Sequence, residues 1–309
     1  MKKWFALLLV LMMLLTVSSC AFAQSQGILY RVTGGKNEMV VLGSIHIGSP
    51  EMYPLGDSIT QALEAADTVV YECDTESAQA LQATMQLMSY SVGESLREHI
   101  SDETYELLKD TARETGYPLG MFLAYKPWAV VSLLSLETTA AEMGTQDIAQ
   151  AMELGVEQQI ALLTMEKEVR YLETAQEQLE MMDGFSAELQ EYMLQTSCNA
   201  ILYPDMISEA DASLSLWPHW WADGDADAFA QNYWQGFELD PKPELMQEYH
   251  DKLLVQRNHR MAEGLHQMLE SDEEHSYFVT VGLLHLVLPQ ESILYDLEQM
   301  GYGIEKIMN

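Results

Sequence analysis

The apolar positions of this chain follow two rhythms, a short one at both ends and a long one between them. Residues 28–32 and 39–44 are apolar-rich runs with strand character, joined across Thr33-Gly34-Gly35-Lys36-Asn37, and predict a hairpin. A loop with Pro50 and Pro54 follows, then a helix over about 58–66 and an apolar run over 68–73 that predicts a buried strand. From about 77 to 270 the spacing becomes helical, with breaks at Gly116-Tyr117-Pro118, Gly155, Gly184, Pro204, Gly224 and Pro241-Lys242-Pro243. Residues 169–172 could form a short strand inside that stretch. Strand character returns over 277–282, a helix over 291–300 and a last strand over 302–307.

The two ends resemble each other. Each is strand, G-x-x-H, loop with proline, helix, strand: Gly43-Ser44-Ile45-His46 in the first and Gly282-Leu283-Leu284-His285 in the second. Such a unit is a right-handed parallel crossover, and two of them could lie in one sheet. The predicted fold is therefore α/β, a mixed sheet built from two terminal strand-GxxH-helix-strand repeats with a large, mostly helical insertion over about 77–270. Gly43 and Gly282 are read as letting the backbone turn sharply, so that His46 and His285 emerge beyond carboxyl ends of strands, where open α/β sheets carry their sites.

Composition changes this picture in three ways. Of 309 residues, 48 are Asp or Glu against 15 Lys or Arg, a net charge of −33, which repels phosphate and argues against nucleic acid as a partner. The 48% hydrophobic content is enough for a folded core. Lys2 and Lys3 before an apolar run over 4–15 read as an export signal, too short for a stable span. Val17-Ser18-Ser19-Cys20 looks like a lipobox that would put a lipid on Cys20, with residues 1–19 removed; Ala21-Phe22-Ala23 offers ordinary cleavage and free secretion instead. Residues 20–27 then form a linker and 28–309 a single domain, outside the cytoplasmic membrane and touching it only through the anchor. In such a compartment Cys73 and Cys198 could pair, or be two buried apolar thiols.

Chemistry gathers on few residues. If the two repeats meet in the sheet, His46, His285 and the strand-end Glu72 form a set of two imidazoles and one carboxylate, which suits a divalent transition metal able to activate water. A buried carboxylate at Glu72 needs a metal or an arginine, and Arg257 or Arg260 could brace it; Arg257 and Asn258 could alternatively bind a substrate oxyanion. His259 and His266 lack an H-E-x-x-H context and read as surface histidines. Trp217-Pro218-His219-Trp220-Trp221 reads as packing in a helical lobe rather than a cleft, and Met85, Met88, Met181 and Met182 as helical core. Serine-esterase, P-loop and dinucleotide motifs do not occur.

Several blocks then resemble one family in order along the chain: Leu42-Gly43-Ser44-Ile45-His46-Ile47-Gly48, Val70-Tyr71-Glu72-Cys73-Asp74, Gly155-Val156-Glu157, Leu172-Glu173-Thr174 with Gln176 or Gln178, Gln256-Arg257-Asn258 and Val281-Gly282-Leu283-Leu284-His285-Leu286. They are similar to motifs of the TraB/PrgY/GumN family, which includes the Tiki proteases and is related in fold to erythromycin-esterase-like and ChaN-like proteins. Ser44, Gln256 and Leu288 depart from the usual Thr, Glu and Gly. The resemblance implies a metal site of His46, Glu72 and His285, with Glu72, Arg257 and Asn258 catalytic and manganese, cobalt or zinc as cofactor. It further implies a metal-dependent hydrolase cleaving peptides or proteins. The alternative is a lipoprotein that binds a peptide, pheromone or metal chelate without turnover.

Overall fold

The computed structural model describes residues 24–75, 77–142, 148–206 and 213–308, so the segment read as an export signal and Cys20 lie outside the described residues. One mixed sheet organises the chain: β1 (Ile28–Thr33), β2 (Glu38–Ser44), β3 (Thr68–Asp74), β4 (Glu168–Thr174), β5 (Ser276–Gly282) and β6 (Gly303–Ile307), in the order β4-β3-β5-β2-β1-β6. β1 runs antiparallel to both β2 and β6, while β4, β3, β5 and β2 are mutually parallel. The hairpin turns at Gly34, whose φ of 104° lies in the left-handed region that only glycine occupies cheaply. The segment read as a linker lies along the body: Ser25 is buried and bridges Leu55, and the Gln26 amide donates to the Ala222 carbonyl.

The mostly apolar character of β5 has a topological cause. It is the strand between the two halves, flanked by parallel neighbours, with Tyr277, Phe278, Val279 and Val281 buried. Phe278 faces a core with Ile59 and Leu63 of the Asp57–Ala65 helix and with Val69. Tyr277, Val279 and Val281 face the other side, against Met261 and Leu265 of the Gln256–Leu269 helix and Leu297 of the Ile293–Gln299 helix. The two crossovers leave the sheet in opposite directions: β2 to β3 passes β5, while β5 to β6 passes β2 and β1. Crossovers of one hand running opposite ways place their helices on opposite faces, as observed.

The long middle is helical with the predicted breaks. Gly116 and Gly224 cap helices at φ 76° and 72°, Gly155 starts the Val156–Leu163 helix and Gly184 ends the Ala175–Asp183 helix. Part of this insertion makes its own core, from Leu108, Phe122, Leu134, Leu194 and Cys198. Cys73 and Cys198 are both free thiols. Met181 and Met182 pack on a small satellite with Phe185, Leu189 and Leu245, but Met85 is 76% exposed, because its helix turns that face outward rather than into the lobe.

Candidate functional site

The register of the central strands decides where the histidines go. Ser44 of β2 lies opposite Gly282 of β5, so the two G-x-x-H units end side by side, and β3 brings Glu72 to the same edge. The glycines do not turn the backbone, as neither Gly43 nor Gly282 has a positive φ. At Gly282 the reason is proximity: its N–H donates to Glu72 Oε2 at 2.8 Å, and a Cβ there would stand 3.2 Å from that same oxygen. Below β2, the buried Trp221 donates its indole N–H to the Gly43 carbonyl at 2.7 Å, while Trp217 and Trp220 stack edge-on against Phe229. The tryptophans therefore pack as expected, but against the sheet rather than within the helical lobe.

Arg257 holds the carboxylates together. Its guanidinium donates through Nη2 to Glu72 Oε1 and through Nε and Nη2 to Glu173 Oε2 at 2.9 and 2.8 Å, with all three side chains buried or nearly so. A five-donor planar fork is the group suited to two carboxylates at once. Gln178 donates to Glu72 Oε1 at 2.8 Å, and the more exposed Arg260 donates to Glu173 Oε1 at 3.1 Å. Gln176 instead pairs with Glu180 on the surface. The chain delivers Arg257 through a π-helical turn, Asp251–Val255, immediately before it. Such turns leave carbonyls unmatched by the α pattern, and the Leu253 carbonyl accepts from Arg257 Nη1 at 3.1 Å.

His285 is fixed from two sides. Arg257 Nη1 lies 3.2 Å from Nε2, and Asn258 Oδ1 lies 2.5 Å from Nδ1. A guanidinium can only donate, so Nε2 accepts and the proton sits on Nδ1. Asn258 has no exposed surface and Arg257 very little. Between them they brace His285 and Glu72, one of the two roles that their chemistry allowed. Burial works to raise the Glu72 carboxyl, but the charges of His285 and Arg257 and the Gly282 N–H more than reverse it, to about 2. Burial pushes His285 itself down to about 4, so the cations acting on Glu72 at neutral pH are Arg257 first and His46 after it.

His46 stands apart in character. Its ring is 77% exposed and its Nδ1 lies 2.9 Å from Glu157 Oε1, which also accepts from the Ser44 hydroxyl. The Glu157 charge raises the imidazole above its ordinary range, although water screens so exposed a pair. Glu157 and Glu173 were both legible only as parts of family-like blocks, and the structure gives them partners. The loop carrying His46 is pressed against the start of the Val156–Leu163 helix, with the Val156 amide donating to the Ile45 carbonyl at 3.0 Å. A Cβ on Gly155 would collide with the His46 carbonyl. Gly155→Ala is thus expected to lower stability by about 1–3 kcal/mol and to pull His46 off Glu157, checked by urea unfolding together with the ring signals of His46.

Among the described residues no three ligating side chains stand ready to share a metal ion. The physical reason is that Arg257 engages the His285 Nε2 lone pair and Glu72 Oε1, while His46 turns to Glu157. A cavity of about 710 Å³ lies at the opposite end of the sheet, lined by Arg31, Lys36, Glu38 and Tyr277 among others, and holds none of these groups. We place the site by its chemistry, at the carboxyl ends of the parallel strands, where a groove of about 430 Å³ lined by Glu177, Gln256 and Arg260 runs beside the Glu173 cluster. His259, exposed on Asp296, and His266, bonded to the Tyr302 hydroxyl, lie outside it.

Fold and site together define an α/β protein whose twin G-x-x-H strands converge on an arginine-clamped glutamate. The profile of the TraB/PrgY/gumN family matches residues 28–306, and the chain belongs to that family. It is 26% identical over 258 residues to the uncharacterized protein YbaP of Escherichia coli (strain K12), covering 82% of this chain and 85% of that one. The YbaP protein of Shigella flexneri matches to the same extent. No solved structure matches the chain significantly.

Proposed function

We propose that this protein is a metal-dependent hydrolase that cleaves peptides or proteins outside the cytoplasmic membrane, anchored by a lipid on Cys20. The observation that supports the reading is the register that ends β2 and β5 side by side next to β3, with Glu72 and His285 in contact at that edge. Two imidazoles and a carboxylate are donors that suit divalent manganese, cobalt or zinc. Glu72 Oε2 and His285 Nε2 lie 3.8 Å apart, within the span of two ligands of one ion. These three residues would hold the metal, which when bound supplies Lewis-acid polarisation and an acidified water.

The chain's own groups account for the rest. Asn258 keeps the proton on His285 Nδ1, so that Nε2 retains its lone pair, for which Arg257 Nη1 and an ion compete. Gly282 and Gln178 aim the Glu72 carboxylate, which stays ionised and able to ligate or to accept a proton. His46, oriented through Nδ1 by Glu157, would have Nε2 as its ligand atom.

The test is elemental analysis of the purified chain beside His46→Ala and His285→Ala, followed by a peptide-library digest with and without manganese, cobalt or zinc. Bound metal should be lost in the variants and cleavage should fall at least about a hundredfold. Unchanged metal content and unchanged cleavage in both variants would overturn the reading, and stoichiometric peptide binding without products would replace it with a binding protein.

A further inference from the structure

His250 takes no part in the chemistry above, yet it is 1% exposed and both its nitrogens are engaged. Glu291 Oε2 lies 3.0 Å from Nε2 and the Tyr233 hydroxyl 2.7 Å from Nδ1, with the rings of Trp234 and Phe237 packed around it. A carboxylate only accepts, so in the neutral ring the proton sits on Nε2 and Tyr233 donates to Nδ1. His250 also ends the Pro243–His250 helix, directly before the π turn that carries Arg257 into the site.

What His250 grips leads to the site by three hydrogen bonds. The backbone carbonyl of Glu291 accepts from Asn258 Nδ2. A carbonyl cannot donate, so the NH₂ of the amide must face it, and this turns Asn258 Oδ1 toward His285 Nδ1. That oxygen in turn requires a proton on Nδ1. The turn bearing Glu291 is also held in a constrained shape: Gln290 has φ 65°, which a residue other than glycine keeps only when its surroundings impose it.

We infer that His250, acting through Glu291, is a positioning residue that holds Asn258 as the acceptor of the His285 Nδ1 proton, while Arg257 on Nε2 fixes the tautomer from the other side. Its consequence for turnover rests on the hydrolytic reading, but the hold on the proton can be observed without turnover. If the grip on Glu291 is released, the turn relaxes, the Asn258 amide is free to rotate, and the Nδ1 proton loses its fixed acceptor.

Long-range proton–nitrogen spectra of the full chain labelled with ¹⁵N-histidine, at neutral pH, test this directly. In the wild type, His285 should show a single form, protonated on Nδ1. In Glu291→Ala the Nδ1 proton should exchange with solvent at least about tenfold faster, the factor one lost buried hydrogen bond supplies. Glu291→Gln, whose amide oxygen can still accept from His250, should restore the wild-type spectrum. His250→Phe, which suits the aromatic surroundings, should behave as Glu291→Ala does and serves if that variant fails to fold. Unchanged exchange of the Nδ1 proton in folded Glu291→Ala and His250→Phe, or a wild type protonated on Nε2, overturns the inference. Absence of cleavage in the wild type would sink the hydrolytic reading while leaving the exchange result standing.

Discussion

Replacing Arg257 by alanine is expected to cost about 3–5 kcal/mol of folding stability at pH 7. Glu72 and Glu173 both face its guanidinium, and its removal leaves two enclosed carboxylates with only the solvent-exposed Arg260 on Glu173. The pH dependence gives the sharper signature. In the wild type Glu72 is held at about 2 against an ordinary 4.5, so it contributes stability that is complete above about 4.5 and is lost as pH falls toward 2. Without Arg257 its titration moves up, so the variant binds a proton where the wild type does not. The gap between them should therefore shrink on going from pH 7 to pH 4. Arg257→Lys, which keeps the charge without the fork, should fall between them. Urea unfolding of all three at both pH values checks this; a loss below about 1 kcal/mol that does not change with pH would mean the carboxylates do not depend on the guanidinium.

Trp221→Ala should cost a similar amount, about 3–5 kcal/mol, for a different reason. Its indole is fully buried among Ile28, Leu42 and Ile59, and its N–H satisfies the Gly43 carbonyl. Truncation opens a cavity and leaves that carbonyl without its donor, the latter worth about 1 kcal/mol. Trp221→Phe keeps most of the volume and should lose about 1–2 kcal/mol. Because Gly43 is three residues before His46, hydrogen exchange over β2 should speed up more than over β6 in both variants. Equal acceleration of the two strands would show that Trp221 is general core filling.

The strands were readable because their causes are local. Parallel strands buried on both faces are mostly apolar, and 68–73 and 277–282 are so but for Thr68, Glu72 and Thr280; the glycine and proline breaks in the helical stretch marked real caps. The pairing of the two G-x-x-H units was also legible, since like units tend to share a sheet. What the sequence did not display is the division of labour within the site. By their chemistry Arg257 and Asn258 could brace Glu72 or face a substrate, and only the fold shows how enclosed they are and what they bond. Glu157 and Glu173 sit among 48 acidic residues, and nothing local distinguishes a carboxylate that will meet His46 or Arg257. The His250–Glu291 contact joins residues 41 apart across a π turn and a loop, a geometry with no period to read.

The position of β5 has a consequence for how this chain comes into being. The strand at the middle of the sheet is formed by residues 276–282, so as the polypeptide is made or exported from its amino end, β2 and β3 emerge long before the strand that separates them. Until then each has an unpaired, apolar edge, the kind of surface that recruits other chains. Closure waits on contacts more than two hundred residues apart, which makes assembly slow and late. A polypeptide truncated before Tyr277 would thus lack more than His285: it would keep most of its helices and have two half-sheets with nothing to join them.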